Sequence, residues 1–313
     1  MAEKRPFFLP ALAGAVLFVS VQLVAMLLVP QYESAGYRAF GPQGQSNPLI
    51  PLIYVAFLVL FTLFLLFIFR MGKVNAIRAF FIAVVSLSAI YVLFPVFALA
   101  FPTAIYPDFY ASIAVMVIIA VALWAYPEWY VIDTWGFIMA SGITAIFGIS
   151  FGLLPALVLL TAMAIYDFIA VYKTKHMLDL AEGALDLNLP VMMMVPRSRS
   201  YSAFESKMSV KEERPEGREA LFVGLGDMII PGVLTVSSFS NLPTSPAIAG
   251  LPANILVAVA CLCGALVGYA ALMVLTSRGR AQAGLPLLNG GTAAGFFIAY
   301  FLIFHTLQLH FFI

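Results

Sequence analysis

Two acidic residues stand apart from the rest. Of the fifteen Asp and Glu residues in the chain, only Asp167 and Asp227 fall well inside long apolar runs. The others lie in loops, at the N-terminus or within about one helical turn of the end of a run. Asp167 precedes Lys173 by six residues and Asp227 follows Glu219 by eight, so a helical rise puts them about 9 and 12 Å inside one boundary. Consecutive segments are usually neighbours, and two carboxylates at matched depth on antiparallel neighbours could face each other. Facing carboxylates in a low-dielectric site do not both ionise; they share a proton and titrate as a pair. Such a pair could hydrolyse a peptide bond. One aspartate would take a proton from the attacking water, while the other donates to the carbonyl oxygen and later helps protonate the leaving amine. It could equally couple proton or cation movement in a transporter. Burial alone leaves both readings open.

The local sequence favours hydrolysis. Asp227 ends Gly224-Leu225-Gly226-Asp227, where two glycines remove side chains beside the carboxylate and admit water or a close backbone. Without the aspartate, the same glycines would read as helix packing. Pro231 has no N–H for the Asp227 carbonyl and Gly232 follows, so the helix is expected to loosen there. A further cluster, Gly284-Leu285-Pro286-Leu287-Leu288-Asn289-Gly290-Gly291, opens the last apolar run at the same end. It is expected to break the helix and present free backbone groups to an extended substrate strand, the alternative being an ordinary interfacial helix start.

The elements that must position these residues are membrane spans. The 313 residues are 63% hydrophobic and 10% charged, with a mean hydropathy of +1.03; soluble domains carry about 25% charged residues. A water-soluble fold is excluded, and a net charge of +1 gives no basic excess for nucleic acid. A bilayer core needs roughly 20 apolar residues per helix. Nine such runs are present: Pro6 to Val29, Leu49 to Phe69, Ile77 to Phe101, Phe109 to Tyr126, Thr134 to Ile149, Leu153 to Tyr172, Ala220 to Phe239, Ala253 to Thr276 and Leu285 to Leu307. None alternates with a period of two, so the expected fold is all-α, a polytopic membrane protein with nine transmembrane helices. The first run is too long for a signal-peptide core and is read as a retained span.

Nearly all Lys and Arg fall on the face that holds the N-terminus, and only Arg38 falls on the other. The N-terminus is therefore expected in the cytoplasm, with both aspartates in the cytoplasmic half of the bilayer. Residues 1–313 form one membrane domain: 1–173 supply six helices, 174–218 a cytoplasmic loop and 219–313 the last three helices. Within the loop, Val191 to Val195 is too short to span and is expected to be extended or to lie on the membrane surface. Trp124, Tyr126, Trp129, Tyr130 and Trp135 fit an interfacial aromatic belt. Cys261 and Cys263 match no metal spacing and are read as small buried hydrophobes.

Tyr166-Asp167 in the sixth run, Gly224-Leu225-Gly226-Asp227 in the seventh and a proline motif opening the ninth resemble the presenilin and signal peptide peptidase family of intramembrane aspartyl proteases. The likeness extends over the whole topology, including the long sixth-to-seventh loop, and points to a compact prokaryotic or archaeal presenilin homologue. It implies that Asp167 and Asp227 are the catalytic pair and that Tyr166, Gly224, Leu225 and Gly226 support them. It also implies that Leu285, Pro286, Leu287 and Leu288 position substrate, and that Val191 to Val195 is a loop strand that pairs with it. One departure is visible, since the family usually has Pro-Ala-Leu where this chain has Pro286-Leu287-Leu288. The orientation resembles presenilins rather than the inverted signal peptide peptidases. The implied substrates are transmembrane proteins or signal peptides, cleaved within or beside their spans.

Two other hydrolase patterns are weaker. Gly148-Ile149-Ser150-Phe151-Gly152 matches a serine-hydrolase elbow, with His305 and His310 as the only histidines at that face. No H-E-x-x-H occurs and His176 lies in a loop, so no metal or other cofactor is expected. A transporter using the same aspartates is disfavoured by the absence of an internal repeat and of other polar residues for a substrate site. Membrane lipid surrounds the chain, which is expected to act alone or as a homo-oligomer.

Overall fold

The computed structural model describes residues 8–70, 74–100, 107–174, 183, 189–196, 220–277 and 282–305. Most of the 174–218 loop, His176, His310 and many of the Lys and Arg residues used for orientation lie outside them. The described residues form nine α-helices: α1 (Phe8–Ser34), α2 (Leu49–Arg70), α3 (Val74–Ala100), α4 (Pro107–Ala125), α5 (Trp129–Ser150), α6 (Leu153–Phe168), α7 (Leu225–Asn241), α8 (Ala253–Thr276) and α9 (Leu285–Phe304). By length and composition eight of them could cross a membrane; the exception, α7, has 17 residues. The architecture is that of an all-α polytopic membrane protein.

Burial sorts the helices. In the most apolar stretch of α5, 61% of residues are buried, against 17% in α2 and in α4. Thus α5 belongs to the core, and α2 and α4 turn most of their surface outward. Helix α7 is also central, with an unbroken buried run from Ile230 to Ser238. Buried polar groups tie it to its neighbours: Thr235 Oγ1 donates to Gln22 Oε1 of α1 at 2.8 Å, and Ser237 Oγ donates to the Phe151 carbonyl at 2.9 Å. Without such partners, these groups would each cost free energy in an apolar interior.

Helices α8 and α9 meet backbone to backbone. A Cβ on Gly264 would collide with the Gly291 carbonyl and one on Gly291 with the Gly264 carbonyl; Cβ atoms on Gly268 and Gly295 would strike the Leu287 and Ala260 carbonyls. This overturns the reading of Gly284 to Gly291 as a helix-breaking cluster, because helix runs unbroken from Leu285 and Gly291 serves packing. The expected loosening at Pro231 is also absent, and α7 continues through it. In the GxSxG pattern, Gly148 makes room for Val236 of α7, and Ser150 is fully buried, donating to Ile146 and accepting from the Ala39 amide. His305 caps α9 at its far end.

The seventh apolar run is not helical from its start. Ala220–Gly224 is a strand (β2) paired antiparallel with Met192–Pro196 (β1), in the register Met192↔Gly224, Met194↔Phe222 and Pro196↔Ala220. Leu-Phe-Val suits a strand as well as a span, and apolarity alone does not separate the two. A second, shorter pair, β3 (Ala247–Ile248) with β4 (Leu251–Pro252), joins α7 to α8. Three smaller expectations also change. Helix α5 begins at Trp129 rather than Thr134, so Asp133 lies within it; Trp135, 5% exposed, is a core residue rather than part of a belt; and Cys263 is exposed while Cys261 is buried.

The glycine seam generates a paired prediction. Gly291→Ala pushes α8 and α9 apart and is expected to lower stability by about 1–3 kcal/mol. Gly290→Ala, where a Cβ meets nothing within 4 Å, is expected to be neutral or to stabilise by up to about 1 kcal/mol. Thermal unfolding of the two purified variants in detergent, followed by loss of the monodisperse peak, checks the contrast.

Candidate active site

Asp167 lies in the last turn of α6 and is 2% exposed. The chain then widens into a π turn over Ile169–Lys173, closed by the Thr174 amide donating to the Ile169 carbonyl at 3.0 Å. Such turns are rare and concentrate at functional sites. This one carries Tyr172, whose hydroxyl donates to Gln282 Oε1 at 2.6 Å. The contact ties the end of α6 to the approach to α9.

The start of α9 lacks a side-chain cap of its own, since its N-cap is Gly284. Asp167 fills that role from another helix. The Leu285 amide donates to Asp167 Oδ2 at 3.0 Å. Pro286 then sits where a helix has no acceptor for an N–H, so its missing donor costs nothing. The Leu287 and Leu288 amides close the first turn onto the Gly284 carbonyl at 3.2 and 3.1 Å. The proline motif therefore builds a helix start that holds Asp167.

Asp227 arrives by a different route. Strand β2 ends at Gly224, which is also the N-cap of α7, and Asp227 is the third residue of that helix. A helix N-terminus favours a negative group. The turn is held by the Leu225 amide donating to the Val191 carbonyl at 3.2 Å. Gly226 is exposed and a Cβ there would meet nothing within 4 Å, so the space beside Asp227 is open. That space belongs to a cavity of about 820 Å³, lined among others by Tyr54, Phe147, Met163, Gly226 and Ile229, which reaches Tyr37 and Arg38.

The two aspartates meet at Gly284. A Cβ on that residue would lie 3.1 Å from Asp227 Oδ2 and 3.2 Å from its Cγ and Oδ1, while the adjacent Leu285 amide holds Asp167. The two carboxylates thus border neighbouring residues of one backbone segment. Gly224 is next to Asp227 as well, 3.5 Å from Oδ2 to a Cβ position.

The other expected site residues are distributed around this centre. The Tyr166 hydroxyl donates to Thr62 Oγ1 of α2 at 3.2 Å. Leu285 is buried against Leu160, Met163 and Ile230. Leu288, 1% exposed, belongs to the buried cluster that includes Leu221, Val223 and Met228, and Leu287 packs against the same cluster. Pro286 faces a groove between α6 and α9 that it shares with Asn289 and Gly290. Sequence reasoning missed Gly284 as a site residue, although a glycine two positions before a proline at a helix start is a readable cap pattern. It also missed Asn289, whose Nδ2 donates to the Leu160 carbonyl at 2.8 Å and links α9 to α6. Among the described residues no cluster of His, Cys, Asp and Glu could hold a metal ion.

Comparison with known proteins gives the family. Residues 15–305 match the family model described as "Signal-peptide peptidase, presenilin aspartyl protease". Two solved structures, each of a presenilin family intramembrane aspartate protease, are similar over 94% of this chain. One is 32% identical with a TM-score of 0.67 and is covered over 99% of its length; the other is 33% identical with a TM-score of 0.66 and is covered over 98%. No curated protein matches the chain. The chain belongs to the presenilin and signal-peptide peptidase family and is an aspartic endopeptidase of the intramembrane class, an integral multi-pass membrane protein.

Gly284 gives the direct test of this geometry. In Gly284→Ala the new methyl presses on the Asp227 carboxylate at 3.1–3.2 Å. Proteolytic kcat is expected to fall between about 10- and 100-fold, the scale of an ångström-level misplacement of a reacting group. Thermal stability should change little, and assaying both on one preparation separates misplacement from misfolding.

Proposed function

We propose that Asp167 and Asp227 are the catalytic pair and that the protein cleaves peptide bonds within or beside the transmembrane segments of membrane proteins or signal peptides. The observation that carries this reading is the convergence of both carboxylates on the Gly284 backbone, beside the open space at Gly226. One aspartate, ionised, takes a proton from a water that attacks the substrate carbonyl carbon. The other, protonated, gives its proton to the carbonyl oxygen, forming a neutral gem-diol. Collapse of the diol breaks the C–N bond and delivers a proton to the amine, leaving a carboxylic acid and restoring the pair. A pair that works with one proton loses activity when it gains or loses one, so kcat/KM should describe a bell against pH. No observation favours the transporter reading.

The substrate must present an extended strand, and the hairpin offers it one edge. Met194 and Phe222 face each other across β1 and β2, and the Met194 amide donates to Asp133 of α5 at 2.7 Å instead of across the pair. Hydrogen-bonded and open pairs alternate in antiparallel ribbons, so the Phe222 backbone groups point away from β1. We place a substrate strand on β2, whose chain leads directly into Asp227, rather than on the Val191 to Val195 segment itself.

The topology completes the proposal: nine spans, with α7 as the seventh, a cytoplasmic N-terminus and the aspartates in the cytoplasmic half of the bilayer. Substrates then enter with an external N-terminus. A cysteine introduced at Ser34 should be labelled from outside intact cells by an impermeant thiol reagent, and one at Lys207 only after lysis. The reverse pattern inverts the topology.

The catalytic assignment is tested with purified protein in proteoliposomes and a tagged single-span substrate. Asp167→Ala and Asp227→Ala should each lose at least about a thousandfold in rate, as the removal of a group from a unit that acts together does. Cleavage at an undiminished rate in either variant overturns the pair.

A further inference from the structure

Asp133 has no part in the chemistry above, yet it is an acidic side chain placed inside a core helix. It lies in the second turn of α5, half-buried, beside a groove of about 1030 Å³ between α1 and α5. A leucine there would bury more cheaply than a carboxylate. What the carboxylate gains is a backbone partner: Oδ1 accepts the Met194 N–H at 2.7 Å, in the middle of β1.

The rest of that helix face is shaped to the same hairpin. One turn on from Asp133 is Gly136, where a Cβ would lie 3.1 Å from Leu225 Cδ2 and 3.4 Å from Met193 Cγ. One further turn brings Ala140, which packs with Met193, Val223 and Met228. Residues 133, 136 and 140 are one stripe of a helix, so α5 presents an acceptor, a gap and a small apolar contact to β1, β2 and the first residue of α7. A two-stranded ribbon is marginal alone. Here it leads within three residues of Gly224 to Asp227, and its register, Met192↔Gly224 through Pro196↔Ala220, is fixed relative to the bundle by what holds β1. Packing allows small slides along the strand. A hydrogen bond to one particular amide does not.

We propose that Asp133 is a positioning residue: by pinning the Met194 amide to α5 it sets the hairpin's place, and so fixes Asp227 and the peptide bond that a strand added to β2 brings to the aspartates. The proposal rests on the reading of Asp227 as catalytic. Asp133 touches neither substrate nor the reacting atoms and acts through the strand.

The test uses the full-length protein in proteoliposomes with a single-span substrate, measuring kcat and KM and mapping every product terminus by mass spectrometry. Asp133→Asn keeps an oxygen for Met194 and should stay within about threefold of the wild-type rate with the same cleavage sites. Asp133→Leu removes the acceptor; kcat should fall about tenfold or more with a smaller change in KM, and the cut should spread to neighbouring bonds. Met194→Pro removes the donor from the other side, at an edge position where a strand tolerates proline. It should reproduce both effects with Asp133 intact, and it decides the matter if Asp133→Leu does not purify as a monodisperse protein. Wild-type rate and sites in Asp133→Leu or Met194→Pro overturn the proposal, as does an Asn variant as impaired as the Leu variant. Asp227→Ala is run beside them. Persistent cleavage there overturns the catalytic assignment itself, whereas an inactive Asp227→Ala with an unaffected Asp133→Leu overturns only the positioning role.

Discussion

The structure turns on the backbone at Gly284 and Leu285. Asp167 accepts the Leu285 N–H at 3.0 Å, which makes a side chain of α6 the cap of α9. On the other side, the missing Cβ of Gly284 leaves room for the carboxylate of Asp227. A carboxylate in a membrane protein needs a donor that does not itself titrate, and the amide at the start of α9 supplies one to Asp167. Any side chain at 284, or a proline at 285, would remove one half of the arrangement.

The surrounding elements can be read as supports for that point. The α8 and α9 glycines let two helices touch along their backbones, which fixes the axis whose first turn carries Gly284. The π turn after Asp167 brings Tyr172 to Gln282, joining the end of α6 to the approach to the same turn. Strand β2, paired with β1, delivers Asp227 as the third residue of α7. Three unrelated devices, glycine packing, a widened helical turn and a two-stranded ribbon, therefore converge on one position.

The legible parts of this arrangement were those that contrast with lipid. Asp167 and Asp227 stand out because a carboxylate in an apolar run is costly, and the helical, polytopic fold follows from hydropathy and the absence of period-two alternation. Where apolar residues could do either of two things, sequence was blind. Leu221-Phe222-Val223 suits a strand or a span, and it is a strand because β1 is there to pair with it. Gly290 and Gly291 have the composition of a break, yet Gly291 is a packing contact because Gly264 lies opposite. Asp133 immediately precedes the apolar run Thr134 to Ile149, so by sequence it is a boundary residue. Its role depends on a strand 61 residues away in the chain, and no local pattern carries that information.

The central claim is that the two aspartates flank one reacting carbon with Gly284 behind them. The most direct measurement is a structure of the protein bound to a peptide in which the scissile carbonyl is replaced by a hydroxyl-bearing tetrahedral carbon, the geometry that the enzyme must bind most tightly. The account predicts that the hydroxyl lies within hydrogen-bond distance of both Asp167 and Asp227, with the peptide extended along β2. A hydroxyl bound to one aspartate alone, or a peptide seated away from Gly284, would contradict it.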